Sequence, residues 1–479
     1  MSSDVLVVGG GVIGKSIALR LADAGCTVVC VGPPARRPGT ASTAAGAMLG
    51  VLGEVTADAT SEVDIAELRF RDESGRRYPA FLERIADRSG VRVPLNRGTV
   101  VIATGANVDD ATNLRAIEAA ADKLGHRHER MVADHRVGLR PAVGHEPIGA
   151  TFLPDEGFVD TGRLMDALDR ALAVAPEVSL VDAEVVAVET NGSAATGVRL
   201  ADGSVISADQ VVLANGVGVQ PLLDALGLTV GRLPKLLPGK GVSLLVEGVP
   251  DPFPYVVRTP NRDFACGSHV VPRGVGAVYV GATNRVSATP GSSEGVTPGE
   301  VHALLHSVIH EVNVGIRTAS LTSTRYGLRP LSSDRYPVIG ATALKRLSVA
   351  TGTYRNGILM APLVADIIAG HLTTAAPTVD NPFTPAAAFR LHPVGARTED
   401  VLDEGLRHLV SFLLEPGGSM PYDRRRELLA FLSELSRLAF VDSPDTRARR
   451  DAIQRTLADY PVAEIVPQLF YELSAAAKA

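Results

Sequence analysis

The run Gly9-Gly10-Gly11-Val12-Ile13-Gly14 constrains this chain more than any other feature, because of what flanks it. Val5 to Val8 before it are apolar and β-branched, as in a strand buried on both faces. After it, Ile17, Ala18, Leu21 and Ala22 recur at helical spacing until Gly25 stops the helix. Val28 to Val31 then predicts a second buried strand, completing a βαβ unit of about thirty residues. In that setting the glycines fit the dinucleotide-binding pattern GxGxxG. Gly9 permits the tight turn, Gly11 lets backbone approach a pyrophosphate, and Gly14 allows close packing of helix on strand. The helix N-terminus adds unpaired N–H groups and the positive end of its dipole. A purely structural glycine-rich turn is the alternative, and the strand–turn–helix context weighs against it.

One expected feature is missing. An acidic residue should end the second strand and accept hydrogen bonds from ribose hydroxyls. Gly32 stands there, followed by Pro33 and Pro34, with Arg36 and Arg37 just beyond. The arginines can approach a 2′-phosphate, pack over an adenosine, or be plain surface residues.

Composition narrows the class. Of 479 residues, 46% are hydrophobic and 21% charged, enough to bury a large core in two or three domains. A net charge of -6 argues against nucleic acid or anionic membrane as the main partner. Cys26, Cys30 and Cys266 form neither a disulfide framework nor a metal motif, which fits a reducing, cytoplasmic setting with no metal site. No signal peptide is read at the N-terminus, and no run of about eighteen apolar residues predicts a membrane span.

The remaining chain alternates. Gly39 to Gly53 is rich in Ala, Gly, Ser and Thr, too small for a core element and suited to lying against something flat. Helices are predicted over 63–78, 81–88, 110–124 and 161–173. Asn191-Gly192 and Asp202-Gly203 mark hairpin turns. From 219 to 323 short β-rich runs predict an antiparallel sheet in a second domain. Strand, glycine-rich loop and helix return over Leu347–Ala350, Gly352–Gly357 and 358–372. Beyond a Pro/Thr-rich link the chain turns helical and charged, with Leu406, Leu409, Val410 and Leu413 on one face.

Three further segments carry a resemblance. Thr40-Ala41-Ser42-Thr43-Ala44-Ala45-Gly46-Ala47-Met48-Leu49 is similar to the flavin-contacting loop of the D-amino-acid oxidase family, and most of all to its glycine oxidase branch. Gly327-Leu328-Arg329-Pro330 with Tyr336-Pro337-Val338-Ile339-Gly340 resembles the family's substrate-carboxylate segment. Gly352-Thr353-Tyr354-Arg355-Asn356-Gly357-Ile358-Leu359-Met360-Ala361-Pro362 resembles its C-terminal flavin loop almost residue for residue. Weaker matches lie at Val159-Asp160, Glu184-Val185, Ala214-Asn215-Gly216, Val271-Pro272-Arg273 and Gly281-Ala282-Thr283. The motifs appear in family order over residues 4 to 391, and the tail from 392 lies outside them.

The resemblance implies an α/β protein: a Rossmann-type FAD domain from segments 1–60, 151–218 and 325–391, an antiparallel-sheet substrate domain from 61–150 and 219–324, and a helical extension over 392–479. It implies non-covalent FAD. Relatives with covalent flavin need a suitably placed Cys or His, and the cysteines here fall in the first βα unit and mid-chain. Flavin contacts are then expected at Gly9, Gly11, Val12, Ile13, Gly14 and Arg37; at Ala41, Ser42, Ala45, Gly46, Ala47 and Met48; at Val185, Ala214 and Gly216; and at Thr353, Tyr354, Arg355, Asn356, Gly357, Ile358 and Leu359.

The family's reaction moves hydride from a carbon next to nitrogen to flavin N5, leaving an imine, and commonly reoxidises the flavin with O2 to give peroxide. The cofactor does the difficult step, so no catalytic dyad or nucleophile is required. The substrate implied is a small amine or amino acid. Arg329 is the candidate for its carboxylate, since a guanidinium fork can hold one bidentately; a structural ion pair is the alternative. Arg355 is a second candidate contact. His269 stands where the closest relatives place a tyrosine. It can hydrogen-bond substrate, tune amine protonation near neutral pH, or be a satisfied histidine lining the sheet. Asp334, Arg335 and Tyr336 are weaker pocket candidates.

Other readings stay open at this point: a dehydrogenase with a different acceptor, NADP-dependent hydride transfer, or a weakly catalytic flavoprotein that docks a partner, or a second copy of itself, through the helical tail.

Overall fold

Strand Ser3–Val8 lies at the centre of a sheet, paired in parallel with Val28–Val31 on one side and Val205–Leu213 on the other. A computed structural model describes residues 3–391, except 34–36, 106–108, 133, 232, 252, 263–265, 287–294, 333 and 377–378. The expected helical extension, 392–479, falls outside the described residues. Val178–Val181 and Leu347–Thr351 extend the parallel sheet outward, and Val338–Ala341 closes one edge antiparallel.

Strand alternation decides which core each side chain joins. Val5 and Val7 enter a large cluster with Ile17, Leu21 and Ile368, beneath helices Val12–Asp23, Thr161–Ala173 and Gly357–Leu372. Leu6 and Val8 enter a second cluster on the opposite face, covered by the strands Val185–Thr190 and Ala195–Leu200. Full burial of a Val, Leu or Ile contributes roughly 1.5–3 kcal/mol. The turn Asn191-Gly192 does join two strands, and Asp202-Gly203 leads into Val205–Leu213.

Among the described residues the second sheet has ten strands. Leu236–Glu247 and Ser320–Ser332 form its longest antiparallel pair, followed by Ala277–Gly281, His269–Pro272, Val256–Arg258, Asn96–Thr104, Pro147–Phe158 and Glu129–Arg130. It is mainly antiparallel, as expected. Val256–Arg258 nevertheless runs parallel to Asn96–Thr104, and the short Gly39–Thr40 runs parallel to Ser320–Ser332. Strands Pro147–Phe158 and Ser320–Ser332 reach across the segment boundaries drawn from sequence, because pairing partners far apart in the chain leave no local mark.

The two predicted helices over 63–78 and 81–88 are one, Glu62–Ser89. Ser61 and Asp64 form a reciprocal cap at its start, and Gly90 ends it in the left-handed conformation. Pro79 lies inside and withholds one backbone N–H. This helix packs on Thr161–Ala173 and Gly357–Leu372, on the nucleotide side of the molecule. No helix among the described residues is long and apolar enough to cross a membrane.

Candidate active site

A cavity of about 750 Å³ runs from the N-terminus of helix Val12–Asp23 to the N-terminus of helix Gly357–Leu372. Its floor is the Gly9–Ile13 turn, whose shape depends on absent side chains. Gly9 has φ 137°, and a Cβ on it would stand 2.4 Å from the Ala214 carbonyl oxygen. Gly32 belongs to the same packing: a Cβ there would stand 2.5 Å from the Gly10 nitrogen. An acid at 32 has no room, which explains its absence. Glu184 lines that end of the cavity instead, 4.0 Å from Arg37, which also lines it. Arg36 lies outside the described residues.

The small-residue segment forms the middle of the wall. Ala41, Ser42, Ala45, Gly46, Ala47 and Met48 all line the cavity, with Val185, Ala214 and Gly216 toward the nucleotide turn. Ser42 Oγ accepts from the Val12 amide at 3.0 Å, tying this segment to the helix start. Ala47 holds φ 52°, a left-handed conformation that few non-glycine residues adopt.

Thr353, Tyr354, Arg355, Asn356, Gly357 and Ile358 line the far end. The Tyr354 amide donates to the Pro330 carbonyl at 3.0 Å, joining this loop to the Gly327–Pro330 segment. Helix Gly357–Leu372 starts at Asn356 without a side-chain cap, so its first N–H groups lie open at the cavity. Two residues expected at the flavin do not line the cavity. A Cβ on Gly14 would meet the Gly9 carbonyl oxygen at 2.0 Å, so Gly14 serves helix–strand packing. Leu359 is buried in the core, and its carbonyl accepts from the Ser74 hydroxyl at 2.7 Å.

Arg329 lines the cavity with its guanidinium lying on Gly241. Its Nη1 donates to the Thr283 carbonyl at 3.1 Å and to Asn284 Oδ1 at 3.2 Å. Both acceptors are neutral, and Arg329 has no acidic partner among the described residues, so it is not the structural ion pair. Arg355 differs: its Nε lies 3.3 Å from Glu54 Oε2, and its guanidinium rests 5.1 Å from the centre of the Tyr354 ring. Asp334, Arg335 and Tyr336 do not line the cavity; Tyr336 donates to Asp64 Oδ1 at 2.8 Å and packs on Phe383 and Phe389.

His269 is buried at the cavity wall, stacked on Tyr279 with ring centres 5.9 Å apart. Burial, and then the charges of Arg258 and Arg329, push its pKa down to about 3, so it does not titrate near neutrality. Its Nδ1 is buried without a geometric hydrogen-bond partner.

Among the cavity residues that carried no motif are Glu54, Arg258, Cys266 and Tyr279. Glu54 Oε1 lies 3.3 Å from Arg258 Nη1, and Asn261 Nδ2 donates to its Oε2 at 2.9 Å. Burial pushes the Glu54 carboxyl up, but Arg355 and then Arg258 outweigh it and hold it well below the usual carboxylate range. Cys266, placed mid-chain by sequence and so set aside, is a buried free thiol on the cavity wall. No metal-binding cluster occurs among the described residues.

The elongated cavity, its glycine-floored turn and two helix N-termini fit a dinucleotide with a ring system at the far end. The sequence matches the DAO family, described as FAD dependent oxidoreductase, over residues 4–370. This chain belongs to that family. Within the DAO family it falls on the glycine oxidase branch. It is 30% identical over 370 residues to a glycine oxidase of Geobacillus kaustophilus, covering 76% of this chain and 92% of that protein. It is also 30% identical over 396 residues to a glycine oxidase of Pseudomonas putida, covering 80% and 99%. A crystal structure of the Geobacillus kaustophilus glycine oxidase superposes with a TM-score of 0.68 at 27% identity, covering 80% of this chain and 98% of that one. As a DAO family enzyme, the chain is an oxidoreductase and its cofactor is FAD.

Proposed function

We propose that this enzyme oxidises the C–N bond of a small amine or amino acid whose carboxylate is held by Arg329. The observation that carries this reading is the state of Arg329. It lines the cavity, its Nη1 rests on neutral acceptors, and no acid among the described residues neutralises it. A half-buried guanidinium so placed keeps Nε and Nη2 for an incoming anion, and a fork fixes that anion's orientation. The names of the relatives, glycine oxidases, support an amino acid as the class of substrate.

When bound, FAD would supply the hydride acceptor and the route by which electrons reach O2, giving peroxide. The protein's part is position and field. Gly9, Gly11, Val12 and Ile13 would hold the pyrophosphate, and Arg37 and Glu184 would take the adenosine end, Glu184 in place of the ribose-binding acid that Gly32 excludes. The cavity-lining residues of segments 41–48 and 353–358 would flank the ring. The uncapped helix N-terminus at Asn356–Gly357 would set a positive potential there and favour negative charge on the ring. Neutral His269 hydrogen-bonds a polar substrate group without competing for Arg329. No residue need remove a proton from carbon. The product imine leaves and hydrolyses in water. FAD is held without a covalent bond.

A panel of glycine, sarcosine and D- and L-amino acids, assayed for peroxide per bound flavin, tests this reading. Peroxide from at least one α-amino acid is expected. A flavin-loaded protein that reacts with amines lacking a carboxylate, and with no amino acid, removes the role of Arg329. Reduction of the flavin without peroxide would favour a dehydrogenase.

A further inference from the structure

The charged side chains at the far end of the cavity are unequal: Arg258, Arg329 and Arg355 against Glu54 alone. Glu54 spans two of these arginines, with Oε1 3.3 Å from Arg258 Nη1 and Oε2 3.3 Å from Arg355 Nε. One carboxylate therefore serves two guanidinium groups. Asn261, which bonds to both Glu54 and Arg258, brings no charge. Arg258 is among the most buried side chains of the protein, 1% exposed, so solvent does not offset the excess. Its Nε donates to the Thr259 carbonyl at 3.0 Å and its Nη2 to Asn261 Oδ1 at 2.9 Å, leaving N–H groups on Nη1 and Nη2 to spare.

Other acids nearby do not close the gap. Glu156 does not line the cavity; its Oε1 accepts from the Leu52 and Gly53 amides, and burial pushes its carboxyl up. Glu67 is paired with Arg71, Nε to Oε2 at 3.0 Å. Among the described side chains lining this end, the guanidinium groups thus outnumber the carboxylates by two: Arg329 has none, and Arg258 and Arg355 share one. His269 feels both Arg258 and Arg329 and stays neutral, so it lies within reach of the two centres and adds nothing to the excess. Uncompensated buried charge is costly, and a site that keeps it is organised for a ligand that brings the counter-charge.

We propose that the substrate is an amine carrying two carboxylates, one bound by Arg329 and the other by the Arg258–Arg355 pair. This rests on the amine-oxidation reading but is tested apart from it.

Calorimetric titration of the flavin-loaded protein with non-oxidisable acids, succinate and glutarate against propionate and butyrate, reads the site without turnover. A roughly tenfold or greater preference for the diacids is expected. Equal affinities would overturn the proposal. Arg258→Met removes the excess charge while Glu54 keeps Arg355 and Asn261, and it should bring the ratio of diacid to monoacid affinity close to one. A variant that folds and keeps the preference would also overturn it. Should that variant not fold, the wild-type ratio still decides. Turnover of iminodiacetate against sarcosine, and of aspartate against alanine, then separates the two readings. Tight diacid binding with no amine oxidised contradicts only the oxidation reading. Brisk peroxide from sarcosine or alanine, with diacids neither bound nor turned over, contradicts only this one.

Discussion

The guanidinium of Arg329 lies flat on the bare Cα of Gly241: a methyl group at 241 would stand 2.1 Å from Nη2 and 2.3 Å from Cζ. The two residues sit on adjacent antiparallel strands, Leu236–Glu247 and Ser320–Ser332. Gly241→Ala should therefore push the guanidinium off its seat without unfolding the sheet. The expected result is a fall in affinity for benzoate or acetate of roughly tenfold or more, with flavin content unchanged. Unaltered inhibitor affinity would mean that carboxylates do not bind at Arg329.

Arg329→Lys keeps the charge and loses the fork. A lost charge-assisted pair costs about 2–5 kcal/mol, or roughly a 30- to 4000-fold fall in kcat/KM. Thermal stability should change little, because the wild-type contacts of Arg329 are neutral. Measured per bound flavin, an unchanged kcat/KM on a carboxylate substrate would take Arg329 out of the site.

His269 gives the acid limb of stability a defined sign. Its folded pKa, about 3, lies below its ordinary 6.5, so the unfolded chain binds a proton that the folded one refuses. Stability from this group is full above 6.5 and falls as pH drops toward 3, by up to about 1.4 kcal/mol per pH unit. His306 is shifted in the same direction, by burial first and then by His310, so the comparison must be differential. Denaturant unfolding of wild type and His269→Phe, followed from pH 6.5 downward, should show a shallower pH slope in the variant. Parallel curves would contradict the buried, neutral imidazole.

Acid precipitation should release FAD and leave a colourless pellet. A yellow pellet would point to a covalent bond, for which Cys266 and His269 are the cavity-lining residues with suitable chemistry.

The parts of this site that were readable in the sequence are those where local backbone geometry demands a residue type. Gly9 is required by its positive φ and by contact with Ala214, and the Thr353–Gly357 loop by the helix start it must make. The Glu54–Arg258 pair was not readable. The two are 204 positions apart, Glu54 in a turn and Arg258 at the end of a strand, and neither stands in a periodic or motif context. Cys266 was discounted by its place in the chain, whereas its place in the cavity depends on the strand His269–Pro272 that follows it. The same blindness to partners split helix Glu62–Ser89 at Pro79 and left unseen the parallel join of Val256–Arg258 to Asn96–Thr104.

In the proposed function, an amine or amino acid bound at Arg329 reduces the FAD in this cavity. Anaerobic mixing of the flavin-loaded enzyme with the amino-acid and amino-diacid panel tests it most directly, by following the visible flavin band. Bleaching by at least one carboxylate-bearing amine is expected, with the band restored by air as peroxide is released, and with bleaching slowed severely in Arg329→Lys. A flavin band that no member of the panel bleaches, or one bleached equally fast in the variant, would contradict it.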